Sequence, residues 1–208
     1  MASVMWIRFC VFCWLVLTLG TAQAATPTIL VWGDSLSAAY GINVDRGWVA
    51  LLRERLKQSG YPQRVVNASV SGETTTGGLQ RLPAALQQHQ PQLVLIELGA
   101  NDGLRGQALT TMRSNLEKMV ALSRKARATP VLFEMRIPSN YGETYSLGFQ
   151  QSFAALTKKH RLPMVPFWMG SIAANPKWFQ DDGLHPTEAA QPLLLDAVWP
   201  TLRPLLKK

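Results

Sequence analysis

A chain of 208 residues that is 47% hydrophobic and 16% charged has the apolar side chains to core one domain and too few residues for two, which excludes a disordered chain. Its 15 glycines and 13 prolines follow no repeating period, which excludes collagen-like, solenoid and low-complexity architectures. The excess of 21 Lys and Arg over 13 Asp and Glu gives a net charge of +8. Apart from Lys158-Lys159-His160-Arg161 and Lys207-Lys208, however, the basic residues are mostly scattered. They form a solvated basic surface suited to peripheral contact with anionic membrane lipids, not the stripe with interleaved aromatics that nucleic acid requires.

In chain order, Arg8, the apolar run from Phe9 to Leu19 and the small-residue site Ala22-Gln23-Ala24 have the order of a secretory signal peptide. The run is about 11 residues where a membrane-spanning helix needs roughly 20. Residues 1–24 are therefore read as a cleaved leader, and 25–208 as one exported, periplasmic domain, expected to be a monomer. Both cysteines, Cys10 and Cys13, lie in the leader, so the mature chain is expected to have neither a disulfide nor thiol chemistry.

Beyond Ala25, short β-branched runs alternate with helically spaced segments, the pattern of an α/β fold. Strands are predicted at Thr28–Trp32, Arg64–Ala68, Leu93–Leu98, Val131–Met135 and Met164–Phe167. The runs Ile29-Leu30-Val31, Leu93-Val94-Leu95-Ile96 and Pro130-Val131-Leu132-Phe133 are continuously apolar, as in parallel strands covered on both faces. Helices are predicted from Trp48 to Gln58, through Leu79, Leu82 and Leu86, from about Thr110 to Ala126, through Phe149, Phe153 and Leu156, and after Pro186 with a start or kink at Pro192. The sum is a three-layer α/β/α domain with a five-stranded parallel sheet.

In such sheets chemistry gathers where strands end at their carboxyl edge. The loops there read Gly33-Asp34-Ser35-Leu36-Ser37, Ser71-Gly72-Glu73-Thr74, Gly99-Ala100-Asn101-Asp102-Gly103 and, before the last helix, Asp181-Asp182-Gly183-Leu184-His185-Pro186. A serine hydroxyl attacks carbonyls at neutral pH only with an imidazole base in reach, itself oriented by a carboxylate. Of the three histidines, His89 and His160 sit at polar helix ends and read as surface residues. His185 precedes a proline that disfavours helical geometry, so Asp182-Gly183-Leu184-His185 is expected to turn and bring both side chains toward one site. No G-x-G-x-x-G or G-x-x-x-x-G-K follows a strand, so the turns at Gly77-Gly78 and Gly103 to Gly106 are not read as phosphate cradles. No ligand-spaced partner accompanies His185, so no metal and no cofactor are expected.

Gly33-Asp34-Ser35-Leu36, Gly72, Gly99-x-Asn101-Asp102 and Asp182-x-x-His185 resemble, in order, the four sequence blocks of the SGNH or GDSL hydrolases. The resemblance covers the whole of the expected mature chain, and it sharpens toward the bacterial thioesterase and lysophospholipase members in Ile137-Pro138-Ser139-Asn140-Tyr141-Gly142 and in Trp178-Phe179-Gln180. It implies a flavodoxin-like sheet with Ser35 as nucleophile, His185 as base and Asp182 as the carboxylate that orients it. Arylesterase, acyl-CoA thioesterase and lysophospholipase activities are implied as well. Trp32 departs from the smaller or aliphatic residue expected before Gly-Asp-Ser, a matter of packing more than of chemistry.

The oxyanion formed in acyl transfer needs donors aimed at it. Asn101 offers an uncharged amide, Gly72 a backbone N–H without a side chain in the way, and Ser35 its own N–H. Asp34 and Asp102 are read as holding their loops through local backbone bonds. Leu104, Tyr141 and Tyr145 are candidates for contact with the acyl chain, whereas Phe167 and Trp168 are read as mainly core. The expected substrates are small-molecule acyl esters, thioesters or lysophospholipids. A carbohydrate O-deacetylase of the same family and a secreted lipid-binding domain without turnover are the rival readings, which the dependence of ester hydrolysis on chain length separates.

Overall fold

The computed structural model describes residues 26–208; the expected leader and both cysteines lie outside them. Five parallel strands, β1 (Thr28–Gly33), β2 (Arg64–Asn67), β3 (Leu93–Glu97), β4 (Thr129–Phe133) and β5 (Met164–Val165), form one sheet in the order β2-β1-β3-β4-β5. This is the flavodoxin-like order, whose switch point falls between β1 and β3. Both of these strands are buried along their full length, which explains their unbroken apolar runs.

The described residues form six α-helices around the sheet: α1 (Trp48–Gln58), α2 (Thr75–His89), the short α3 (Ala100–Leu104), α4 (Leu109–Lys125), α5 (Glu143–His160) and α6 (Gln191–Leu202). Helix α1 packs with α6, while α2, α4 and α5 pack in series, completing the three layers. The long helices bury the sides their sequence spacing indicates, such as Trp48, Leu52 and Leu56 of α1 and Phe149, Phe153 and Leu156 of α5. Pro192 lies in the first turn of α6, where its missing N–H costs nothing.

Some boundaries differ from the sequence reading. Strand β4 begins at Thr129, whose N–H bonds the Gln92 carbonyl at 2.8 Å. Pro130 is tolerated in it because its nitrogen faces the side of β5, whose pairing starts only opposite Leu132. Strand β5 is cut to Met164–Val165 because Pro166 follows and the chain turns into a 3₁₀ segment, Trp168–Ser171. Trp168 packs edge-on against Trp48 and Phe133, with ring centroids 5.5 Å away in both cases. Truncating Phe133 in such a cluster typically costs about 3–5 kcal/mol.

Trp32 also finds its reason here. Its indole N–H donates to the Gly78 carbonyl at 3.2 Å, and the Arg81 guanidinium lies 4.3 Å over its ring, held there by Glu73 at 2.6 Å. Gly78 lets α2 approach closely enough for this, since a Cβ there would press on Leu98 and the Trp32 indole.

Candidate active site

The connection that leaves β1 is a tight turn: the Asp34 carboxylate accepts the Leu36 N–H at 3.0 Å, and the Ala38 N–H reaches the Asp34 carbonyl at 2.9 Å. Ser35 is lifted out of the sheet at the switch point. The residues that meet it come from a distant part of the chain. Gln180 donates its backbone N–H to the His185 carbonyl at 2.8 Å, the Thr187 N–H bonds the Trp178 carbonyl at 2.8 Å, and Phe179 pairs antiparallel with Pro186. The resulting finger projects Asp182 and His185 from its tip. The Gln180 side-chain amide fastens it to the turn after β1 by donating to the Tyr40 carbonyl at 2.8 Å, and the Tyr40 ring lies tilted against that of His185 with the centroids 4.5 Å apart.

His185 Nε2 lies 2.8 Å from Ser35 Oγ and its Nδ1 lies 2.6 Å from Asp182 Oδ2. The second Asp182 oxygen accepts the N–H groups of Leu184 and His185 at 2.8 and 2.9 Å. The backbone bond from His185, the contact with its ring and the Leu184 N–H together hold the Asp182 carboxyl down at about 2. An ionised Asp182 takes the Nδ1 proton side, which leaves the Nε2 lone pair facing the Ser35 hydroxyl.

Asn101, at the start of α3, donates one side-chain N–H to Asp34 Oδ2 at 3.1 Å; the amide's second hydrogen has no partner among the described residues. Gly99 makes the entry to α3 possible at φ 118°, where a Cβ would also meet Phe153. Gly72 stands at φ 77° on the exposed loop after β2, its carbonyl accepting from Arg105 at 3.0 Å. The Val70 N–H bonds the Gly33 carbonyl at 3.1 Å and the Ser69 hydroxyl accepts the Gly33 N–H at 3.1 Å, tying that loop to the turn that carries Ser35.

A cleft of about 860 Å³ opens beside this array, lined by Ser35, Asn101 and His185 at one end and by Leu104, Ile137, Met169 and Leu184 among others. Phe167 lines it too, contrary to the core position expected from its apolar run, because the chain leaves β5 two residues early. Trp168 is buried as expected. Tyr141 and Tyr145 do not line the cleft. Their hydroxyls donate to the Leu104 and Gln107 carbonyls at 2.9 and 2.7 Å, so they brace the segment that carries Leu104 from behind.

Asp102 works at longer range than a local loop bond. Its buried carboxylate accepts both the N–H and the hydroxyl of Thr75, at 2.8 and 2.6 Å, and so clips α3 to the start of α2. His89 lines a separate cavity at the amino edge of the sheet with Arg64 and Arg127, and His160 pairs with Glu117 at 2.9 Å; neither meets Ser35. Among the described residues, no three His, Cys, Asp or Glu side chains are grouped to hold a metal ion. The sequence reading gave no site role to Tyr40, Gln180 or Glu97. The one visible signal was Glu97, an acid closing an otherwise apolar run.

A flavodoxin-like sheet that carries a hydrogen-bonded Ser-His-Asp array at its switch point defines the class of acyl-transferring hydrolases. The model of the GDSL-like Lipase/Acylhydrolase family matches residues 31–192. Esterase TesA of Pseudomonas aeruginosa is 48% identical over 192 residues, covering 92% of this chain and 96% of that protein. Thioesterase 1/protease 1/lysophospholipase L1 of Escherichia coli K12 is 43% identical over 183 residues, covering 88% of this chain and 86% of that one. The crystal structure of the psychrotrophic esterase EstA from Pseudoalteromonas sp., inhibited by monoethylphosphonate, superposes with a TM-score of 0.82 at 44% identity over 85% of this chain and 97% of its own. The chain belongs to the GDSL-like lipase/acylhydrolase family, and it is an esterase of that family.

Proposed function

We propose that the protein hydrolyses acyl esters and thioesters through an acyl-enzyme on Ser35, with His185 as general base and then general acid and Asp182 as the carboxylate that fixes its tautomer. The observation that carries this reading is the unbroken relay of 2.8 and 2.6 Å from Ser35 Oγ through His185 to Asp182. His185 takes the hydroxyl proton as Ser35 attacks the carbonyl. The oxyanion is received by the Asn101 amide hydrogen left over from Asp34 and by the backbone N–H groups of Ser35 and Gly72. Return of the proton expels the alcohol or thiol, and water then repeats the sequence to release the acid. Inhibition of the Pseudoalteromonas relative by a phosphonate supports the reading, because phosphonates trap activated serines.

The apolar wall of the cleft supports acyl chains longer than acetyl as the bound part, with aryl esters, acyl thioesters and lysophospholipids as the substrates. Export to the periplasm as a monomer, with the basic surface meeting anionic lipid, completes the proposal. Among the described residues no helix is long and apolar enough to cross a membrane.

The test is hydrolysis of p-nitrophenyl esters of increasing chain length. Ser35→Ala and His185→Gln are expected to lose at least about 10³-fold in kcat while staying folded, and His89→Gln and His160→Gln to keep it. Activity of folded Ser35→Ala within tenfold of wild type contradicts the assignment, and preference for the acetate ester contradicts the acyl-chain reading.

A further inference from the structure

The sheet delivers one more carboxyl group to this site. Glu97 ends β3 in register with Gly33, immediately before the nucleophile turn, and is 0% exposed. A buried carboxylate without sufficient donors is costly, so an acid at this place needs a reason. Its Oε2 accepts the Ser37 hydroxyl at 2.6 Å and the Asp34 N–H at 3.3 Å, binding the turn on both sides of Ser35. Gly33 makes the room, because a Cβ there would strike the Glu97 carboxyl and the Ser37 side chain. Its Oε1 is buried and receives no donor among the described residues.

Its contact with the Asp34 N–H sets the Glu97 carboxyl against Asp34, whose own carboxyl is buried with the residue only 1% exposed. Two carboxyl groups buried this near one another resist ionising together, and the Glu97 oxygen without a donor is where the acid's hydrogen belongs. Burial, and after it the Asp34 charge, pushes Glu97 well above the usual carboxylate range, and burial brings Asp34 to about 6. The groups facing the pair are neutral hydrogen-bonding ones, Ser37, the Leu36 N–H and Asn101. The exception is His185 on the finger, whose protonated form favours ionised Asp34.

We propose that Glu97 is a positioning residue for the hydrolase reaction: as the neutral acid it accepts from Ser37 and the Asp34 amide, and through these bonds sets the Asp34 turn, and with it Ser35 and Asn101, relative to the oxyanion. Asp34 is the link, since its two oxygens hold the Leu36 N–H of the nucleophile turn and the Asn101 amide. The inference rests on Ser35 being the nucleophile.

The test compares Glu97→Gln, Glu97→Met and Ser35→Ala in the full chain on one p-nitrophenyl ester. Glutamine keeps a carbonyl acceptor and an N–H donor, so Glu97→Gln is expected to retain kcat within about threefold. Methionine keeps the volume and neither bond, so Glu97→Met is expected to lose at least about 30-fold in kcat with KM within about threefold, the mark of lost transition-state stabilisation. At pH 7 the infrared difference between wild type and Glu97→Gln is expected to contain the carbonyl stretch of a protonated carboxylic acid. Folded Glu97→Met with kcat within threefold of wild type, or a loss confined to KM, overturns the proposal. So does Glu97→Gln falling as far as Glu97→Met, or absence of the protonated-acid band. If Glu97→Met does not fold, Glu97→Gln and the infrared band decide. Full activity of Ser35→Ala would instead remove the reading beneath it, whereas an inactive Ser35→Ala beside a fully active Glu97→Met defeats the positioning role alone.

Discussion

Asp182 and His185 are partly exposed, so their relationship rests on hydrogen bonds and not on a dry pocket. Three contacts fix Asp182, and each favours its charge. Asp182→Asn keeps the shape but can turn an N–H toward Nδ1 and select the wrong tautomer, so kcat is expected to fall by about 10²–10⁴-fold with little change in KM. A carboxyl held at about 2 contributes stability above its unfolded value near 3.8 and loses that contribution as pH falls through 2. The difference in melting temperature between wild type and Asp182→Asn is therefore expected to be level from pH 5 to 8 and to shrink as pH falls toward 2. Glu97 has the opposite sign: its raised value gives stability that is complete below about pH 4.5 and lost as pH rises. Glu97→Gln is accordingly expected to gain in melting temperature over wild type as pH climbs from 4.5 to 8, and a flat difference would show that the acid does not titrate on folding. Ser35, Asp182 and His185 were legible in the sequence because nucleophilic chemistry demands those residue types, and the proline after His185 marks a turn. Tyr141 and Tyr145 were misplaced because composition shows an aromatic ring but not where its hydroxyl finds an acceptor.

Among the elements, α3 is the one the sequence concealed. Gly99-Ala100-Asn101-Asp102-Gly103 contains turn dipeptides and reads as a loop, yet residues 100–104 are helical, because Gly99 supplies the positive φ of the entry and Asp102 is clipped to Thr75. Gly103 packs where a Cβ would come 2.6 Å from the Phe149 ring and 2.7 Å from Ile137. Gly103→Ala is expected to overpack this contact at a cost of about 1–3 kcal/mol, measurable by denaturant unfolding, and to lower kcat by moving Asn101. Unchanged stability would mean that α3 shifts freely and does not locate the amide. Strand cores and the buried sides of the long helices were readable from periodicity. Their ends were not: Pro130 is permitted inside β4 only by where β5 begins, which is a tertiary fact. The same holds for Trp32, whose place depends on Gly78 and Arg81 arriving from α2.

For the whole molecule, the sheet order sets the switch point between β1 and β3, the finger from 178 to 187 crosses it, and the apolar cleft runs from Ser35 past Leu104 toward Met169. Burying a methylene is worth about 0.8 kcal/mol, close to fourfold in specificity constant, so kcat/KM is expected to climb with acyl length until the cleft is full. Leu104→Ala is expected to weaken octanoate or decanoate esters more than acetate; an equal loss on all would make Leu104 a support of α3 and no part of the acyl wall. The central claim is that Ser35 is the nucleophile. Its most direct test is intact-mass and peptide analysis after reaction with a p-nitrophenyl alkylphosphonate. The account predicts one adduct per chain, on Ser35, abolished by Ser35→Ala and slowed by His185→Gln. An adduct on another residue, or equal labelling of Ser35→Ala, would contradict it.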